Sequence, residues 1–154
     1  MDGKKKRIVW IDDQIYSPIL SSYVEEFEEN NFEVIKIESV DNLLSVLKIE
    51  VKKSLHAILV DIIMPYGPLD FGKSRGGLKT GLLVLEDILK EDSLKNIPIV
   101  VLSNADYYDV RDFCQEKSIK YLEKSHYFSN ELVNIITELI YNIEEWLNTI
   151  SLLI

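Results

Sequence analysis

The sequence is poor in cysteine and histidine and contains no long apolar run. Its 154 residues include two histidines and one cysteine, Cys114. A single cysteine cannot form a disulfide within the chain, and no His/Cys spacing typical of a zinc site is present. The one cysteine falls in a predicted helix, where it is most simply a small apolar filler. These absences indicate a reducing compartment, and we expect a cytoplasmic protein.

Basic residues are also scarce. Lys and Arg number 17 against 26 Asp and Glu, which gives a net charge of -9. Because phosphate contacts require basic side chains, this balance argues against direct nucleic-acid binding. The apolar run after Arg7 ends at Asp12, too early for the core of a signal peptide. No run approaches the length of a membrane span, so we expect no membrane insertion.

Segments of strand and helix type alternate five times along the chain. The strand-like runs cover residues 7–11, 34–37, 56–60, 97–102 and 119–123. Apolar residues at helical spacing follow each run. Since runs that are apolar on both faces are typical of a parallel sheet covered by helices, we predict a doubly wound α/β fold. We expect one domain over residues 1–154, with a last helix over about 129–150.

Charged and hydroxyl residues follow four of the predicted strands. Asp12 and Asp13 follow the first strand, and Asp61 follows the third. Ser103 follows the fourth strand and Lys124 follows the fifth. In a parallel sheet these strand ends lie at one edge, where ligands bind. Clustered carboxylates repel one another and suit Mg²⁺, so the pattern predicts a site for Mg²⁺ and a phosphoryl group, with Asp61 as nucleophile.

These residues, in this order and spacing, resemble the receiver domain of two-component response regulators over nearly the whole chain. The resemblance is carried by Asp12-Asp13, Leu59-Val60-Asp61-Ile62-Ile63-Met64-Pro65, Thr80-Gly81, Ser103 and Lys124. It implies a flavodoxin-like five-stranded sheet of order 2-1-3-4-5.

The resemblance also implies a set of metal ligands and a phosphoryl donor. Asp13, Asp61 and the backbone carbonyl of Ile63 would bind Mg²⁺ directly, and Asp12 would act through water. Asp61 would accept a phosphoryl group from the phosphohistidine of a sensor histidine kinase or a phosphotransfer protein. We expect no enzymatic activity beyond the protein's own phosphotransfer and dephosphorylation.

A conformational switch is implied as well. Ser103 and Lys124 would contact the phosphoryl oxygens, and Tyr121 stands where receiver domains have an aromatic switch residue. When Ser103 moves toward the phosphate, the Tyr121 ring would turn inward and change a protein-binding surface. Within these 154 residues no DNA-binding or enzymatic domain follows, so we expect the signal to pass to a downstream protein.

Two features depart from the usual receiver pattern. Lys124 is followed by Ser125, where receiver domains usually have a proline, often with a cis peptide. The segment 66–79 is an insertion, and five of the six glycines lie from Gly67 to Gly81. Such a loop is either a mobile lid, a partner contact or a tolerated surface insertion.

The insertion also contains a match to the nucleotide-binding P-loop motif, at residues 67–74. Pro65 and Tyr66 separate the match from the preceding strand, and further glycines follow where the helix of a P-loop should run. A P-loop nucleotide-binding protein is therefore a minor alternative. A second alternative is a pseudo-receiver, which keeps the fold but is not phosphorylated.

The end of the last helix stays apolar, at Trp146, Leu147, Ile150 and residues 152–154. This tail is expected to pack against a partner, against a second copy in a homodimer, or against its own domain.

Overall fold

Five strands form one sheet at the centre of the molecule, in a computed structural model that describes residues 3–154. The strands are β1 (Lys6–Ile11), β2 (Phe32–Ile37), β3 (Ala57–Val60), β4 (Ile99–Ser103) and β5 (Lys120–Glu123). All neighbouring strands are parallel, and the strand order is β2-β1-β3-β4-β5. The predicted doubly wound α/β fold and its strand order are therefore confirmed.

Helices cover both faces of the sheet. They are α1 (Pro18–Glu29), α2 (Leu43–Lys52), α3 (Phe71–Ser74), α4 (Thr80–Leu89), α5 (Tyr108–Glu116) and α6 (Ser129–Leu153). Helices α1 and α6 pack on one face, and α2, α4 and α5 pack on the other. None of the helices between Gly3 and Ile154 is both long enough and apolar enough to span a membrane.

Strand β1 shows how the sequence fills both sides of the sheet. Successive side chains of a strand point to opposite faces. Val9 and Ile11 join the core under α2, α4 and α5, whereas Ile8 and Trp10 join the core under α1 and α6. All four side chains are fully buried. Such a strand has no solvent face, which accounts for its continuous apolar run.

Local signals set the ends of α1. Ser17 is the N-cap, and its Oγ accepts a hydrogen bond from the amide of Leu20 at 3.4 Å. Pro18 occupies the first helical position, where a missing N–H costs nothing. The helix ends at Glu29, and Asn31 then adopts a left-handed conformation with φ of 66°. Asparagine tolerates this conformation better than most residues.

The structure differs from the sequence-based boundaries in a few places. Strand β4 begins at Ile99 rather than Ile97, because the Ile97 amide closes a turn on the carbonyl of Leu94 at 3.0 Å. Ser103 is the last residue of β4 rather than the first residue after it. Helix α6 continues to Leu153, and α3 was not predicted.

Cys114 lies in α5 and is 1% exposed. Burial raises the pKa of its thiol to about 11. The side chain is therefore a protonated apolar filler, as the sequence indicated.

The insertion at residues 66–79 folds as a closed loop. At its base the Met64 amide donates to the carbonyl of Gly77 at 3.1 Å, and the Thr80 hydroxyl donates to the carbonyl of Met64 at 2.5 Å. The rings of Tyr66 and Phe71 meet edge to face inside the loop, with centroids 5.4 Å apart. Ends that meet and side chains that pack within the loop are typical of an Ω-loop.

The P-loop match within the insertion does not have P-loop geometry. Asp70 caps α3 by accepting from the Lys73 amide at 2.8 Å, and the helix ends after four residues at Arg75, whose φ is 51°. Lys73 is exposed. A P-loop runs directly from a strand into a helix that continues behind the phosphates. Residues 67–74 therefore match the P-loop motif in sequence but not in backbone geometry.

Gly81 allows α4 to start directly behind β3. Its amide donates to the carbonyl of Ile62 at 2.9 Å. A Cβ at this position would lie 2.1 Å from the carbonyl oxygen of Asp61 and 2.6 Å from the Cα of Ile62. These contacts are with backbone, which cannot move aside as a flexible side chain can. The absence of a side chain at Gly81 therefore permits α4 to pack directly against the backbone of Asp61 and Ile62.

We predict that Gly81→Ala lowers the free energy of unfolding by about 3 kcal/mol, the upper end of the usual cost of overpacking a core. The clash outweighs the gain of about 1 kcal/mol that alanine normally brings to a helix. Chemical denaturation measures the change. Gly72→Ala in α3 is the control, because the nearest atom to its added Cβ is a side-chain oxygen of Asp70 at 3.3 Å. Equal stability of Gly81→Ala and wild type would contradict the close approach.

Candidate metal and phosphoryl site

Strand register brings the first two carboxylates together. In the parallel pairing of β1 and β3, Ile11 stands opposite Val60. The next residue of each strand is an aspartate, Asp12 in one and Asp61 in the other. The Asp61 amide continues the ladder by donating to the carbonyl of Ile11 at 2.9 Å. The two aspartates therefore lie side by side at the carboxyl edge of the sheet.

Asp13 completes a cluster of three carboxylates. One oxygen from each of Asp12, Asp13 and Asp61 lies within 4.8 Å of the others. Asp12 and Asp61 are buried and Asp13 is half-buried. Oxygens on opposite sides of one Mg²⁺ stand about 4 Å apart, because each lies about 2.1 Å from the ion. A small inward movement of these side chains would therefore allow them to share one cation.

Lys124 provides the positive charge closest to this cluster. Its Nζ lies 2.5 Å from Oδ2 of Asp12 and 3.1 Å from Oδ2 of Asp61. The Lys124 side chain is only 17% exposed. The ammonium group is thus held between two buried carboxylates, one just after β1 and one just after β3.

The charges in the cluster shift one another's protonation. Burial, and then the negative charge of Asp61, raise the pKa of Asp12, and the contact with Lys124 offsets this only in part. Burial by itself would lower the pKa of Lys124, but the attraction of Asp61 and Asp12 outweighs burial and leaves that pKa raised. Because the pKa of Asp12 is raised on folding, its ionisation opposes folding as pH rises past the ordinary range of an aspartate.

The remaining carboxylate oxygens show where a cation fits. Oδ1 of Asp61 accepts from the Ile62 amide at 2.8 Å, and Oδ1 of Asp12 accepts from the Gln14 amide at 2.8 Å. Oδ2 of Asp12 is buried and makes no well-directed hydrogen bond, although Lys124 lies close enough for an ion pair. A buried carboxylate oxygen without a directed donor is a suitable ligand for a hard cation.

Ser103 and Tyr121 are joined through one residue, Ala105. The Ala105 amide donates to Oγ of Ser103 at 3.1 Å. The Ala105 carbonyl accepts from the hydroxyl of Tyr121. Since a hydroxyl can accept and donate at once, the proton of Ser103 stays available for a phosphoryl oxygen. Ser103 lies at the same edge as Asp61, and its Oγ accepts a hydrogen bond from the Ala105 amide rather than contacting Asp61.

Charged residues surround the Tyr121 ring on its outer side. The guanidinium of Arg111 lies 5.0 Å from the ring centroid and forms ion pairs with Asp106 at 2.6 Å and Glu123 at 2.5 Å. The ring is half-buried, and burial raises the pKa of its hydroxyl although Arg111 acts in the opposite direction. The hydroxyl therefore stays protonated and able to donate near neutral pH.

Two further positions named from the sequence lie at the rim of the site. Ile63 follows Asp61 by two residues, and its side chain is 42% exposed. Every peptide bond among the described residues is trans, including the bond between Lys124 and Ser125. The Ser125 amide donates to Oδ1 of Asn104 at 3.0 Å.

Sequence reasoning missed Ala105, Asn104 and Lys79. Ala105 acts through its backbone, which leaves no signal in the sequence. The side chain of Lys79 is 11% exposed, pairs with Asp109 at the start of α5 and lies 5.5 Å from the ring centroid of Tyr107. A lysine just before the Thr80-Gly81 pair was the only available clue to this contact.

Solved structures with the same architecture are response-regulator receivers. A CheY-like receiver domain protein from Methanospirillum hungatei JF-1 is 22% identical, and the match covers 92% of this chain and 98% of that chain with a TM-score of 0.69. The receiver domain of the Francisella response regulator 1452 is 21% identical, with 90% and 98% covered and a TM-score of 0.63.

A longer protein matches over part of its length. NtrX from Brucella abortus, solved in complex with ADP, is 14% identical with a TM-score of 0.69, and the match covers 96% of this chain but 29% of that one. No protein-family model and no curated protein matches the sequence. The chain has the receiver-domain fold. At the strand edge of this receiver fold, the structure brings together Asp12, Asp13, Asp61 and Lys124.

We predict that Asp13→Asn stabilises the metal-free protein at neutral pH by about 1 kcal/mol, because it removes one of three mutually repelling charges. The same change should reduce the rise in melting temperature that Mg²⁺ produces, since a bound ion stabilises only the state that binds it. Thermal unfolding with Mg²⁺ and with EDTA measures both effects.

Asp112→Asn is the control, because Asp112 is exposed on α5 and outside the cluster. It should respond to Mg²⁺ as the wild type does. A full Mg²⁺ response in Asp13→Asn would exclude Asp13 as a ligand.

Proposed function

We propose that this protein is a phosphoacceptor receiver in a two-component phosphorelay, phosphorylated on Asp61 in the presence of Mg²⁺. The observation that carries the proposal is the contact of Asp61 with Lys124 beside the carboxylates of Asp12 and Asp13. A structural role alone does not require three carboxylates against one ammonium at a mostly buried edge. A bound cation accounts for them, because it offsets the clustered negative charge.

Different residues of the site would have different roles in phosphoryl transfer. Oδ1 of Asp61 accepts from the Ile62 amide, so Oδ2, which lies 3.1 Å from Lys124, would attack the phosphorus atom. The bond from phosphorus to the donor breaks as the new bond to Asp61 forms, and the donor leaves with the electron pair. Lys124 and Ser103 would then bind phosphoryl oxygens. Transfer of this kind needs mainly positioning and charge neutralisation.

Asp13, Asp61 and the carbonyl of Ile63 would hold Mg²⁺, with Asp12 acting through water. The ion would neutralise the negative charge of the incoming phosphoryl group. The three clustered carboxylates, which carry more negative charge than Lys124 offsets, fit such an ion.

The path from the phosphoryl group to the surface would run through Ala105. If Ser103 moves toward the phosphoryl group, it pulls on the Ala105 amide, and the Ala105 carbonyl carries the Tyr121 hydroxyl with it. The surface that changes would lie on α5, β5 and α6. Its reader would be a downstream protein, and the donor would be a sensor histidine kinase or a phosphotransfer protein. The protein would act in the cytoplasm and catalyse only its own phosphotransfer and dephosphorylation.

We predict that incubation with acetyl phosphate and Mg²⁺ adds one phosphoryl group, about 80 Da, to the wild type. Asp61→Asn should remove the adduct, because an amide cannot act as the nucleophile. Intact-mass spectrometry measures both. EDTA should also prevent the adduct.

Asp92→Asn is the control, because Asp92 lies in a surface turn between α4 and β4. It should be labelled like the wild type. A wild type that takes no phosphoryl group would favour a pseudo-receiver, and an adduct that survives Asp61→Asn would place the acceptor elsewhere.

We further propose that the exposed end of α6 mediates self-association. Trp146 is 60% exposed, Leu152 is 87% exposed and Leu153 is 81% exposed, all on the last turns of one helix. Several exposed apolar side chains near one helix end are a candidate contact for a second copy.

We predict a concentration-dependent increase in sedimentation coefficient for the wild type. The double variant Trp146→Gln/Leu153→Gln should abolish it by removing the apolar contact. Analytical ultracentrifugation over a wide range of concentrations is the measurement, and Asn148→Gln on the same helix is the control. A wild type that stays monomeric throughout would exclude the homodimer.

A further inference from the structure

A hydrogen bond joins the two residues that directly follow the predicted phosphoryl ligands Ser103 and Lys124. Asn104 follows Ser103, and Ser125 follows Lys124. The Ser125 amide donates to Oδ1 of Asn104 at 3.0 Å. Because β4 and β5 are paired with Ser103 opposite Glu123, this hydrogen bond extends the contact between the two strands past their ends.

The bond exists because position 125 is not a proline. Proline has no N–H to donate. The segment Lys124–His126 is a single turn of 3-10 helix, so the Ser125 amide has no partner within the turn. The side chain of Asn104 supplies that partner. The Ser125 hydroxyl takes no part in the bond, so its contribution is the backbone N–H alone.

The far end of the same turn is held by a different element. The Tyr23 hydroxyl of α1 donates to the carbonyl of Tyr127 at 2.7 Å. This contact ties the turn to the face of the sheet that α1 and α6 cover. Only the Asn104 contact ties the turn to the loop that carries Ala105, among the side-chain hydrogen bonds of the described residues. The two anchors can therefore be tested separately.

We propose that the hydrogen bond from the Ser125 amide to Asn104 sets the spacing of Ser103 and Lys124 and so positions both for phosphoryl transfer. This inference rests on the proposed function of Asp61. In this role Asn104 and Ser125 are positioning residues, and neither touches the reacting atoms. A fixed spacing matters because transfer depends on groups already in place when the phosphoryl group arrives.

The test is a double-mutant cycle on the rate of phosphorylation by acetyl phosphate with Mg²⁺. Asn104→Ala removes the acceptor and Ser125→Pro removes the donor, and each should slow phosphorylation about threefold, as expected for one hydrogen bond. The double variant should be slowed by about the same factor, because the bond can be lost only once. Ser125→Ala keeps the N–H and should match the wild type.

Tyr23→Phe provides the control for a structural effect on the turn. It removes the other anchor, so combined with Asn104→Ala its effect on the rate should multiply rather than saturate. Amide hydrogen exchange at Ser125 is the second readout. Exchange should be faster in Asn104→Ala than in the wild type and unchanged in Tyr23→Phe.

The outcomes separate this inference from the function on which it rests. A wild type that accepts no phosphoryl group would overturn both. A phosphorylated wild type with an unaffected Asn104→Ala variant would overturn the positioning role alone. Independent slowing by Asn104→Ala and Ser125→Pro, multiplying to about ninefold in the double variant, would also overturn it. Saturation of the cycle, with faster Ser125 exchange, is the result expected.

Discussion

The ion pairs of Lys124 with Asp12 and Asp61 are the interaction on which the carboxyl edge of the sheet depends. Asp12 has no exposed surface, and Asp61 is 5% exposed. Burying two carboxylates beside each other is costly unless a cation lies close by, and Lys124 brings that cation from β5 across β4 to β1 and β3. With Asp13 the cluster still has more negative than positive charge. The excess negative charge at this edge therefore favours the binding of a divalent cation.

Backbone packing gives this electrostatic arrangement its geometry. The pairing of β1 with β3 places Asp61 beside Asp12, and Gly81 lets α4 start close behind the end of β3. Thr80 and Gly77 then fasten the base of the insertion to Met64, three residues past Asp61. The insertion thus begins and ends at points fixed by the site.

Most of the fold could be predicted from the sequence. For the site, the sequence predicted which residues belong to it but not the contacts between them. Continuous apolar runs such as Ile8 to Ile11 marked the buried strands, and strand ends such as Asp61 marked the edge. The contacts that depend on backbone atoms could not be read in this way. The Ala105 amide and carbonyl join Ser103 to Tyr121, but the alanine side chain has no functional group from which this contact could be predicted. Helix α3 was missed because four residues are too few for a periodic pattern.

The loop after β4 is where these separate contacts meet. Asn104 binds the turn after Lys124, Ala105 binds both Ser103 and Tyr121, and Tyr107 lies against Lys79 at the end of the insertion. This loop therefore contacts Ser103, the turn that contains Lys124, Tyr121 and the end of the insertion. The insertion is thus joined to the body of the domain through Lys79 and is not a detached surface loop.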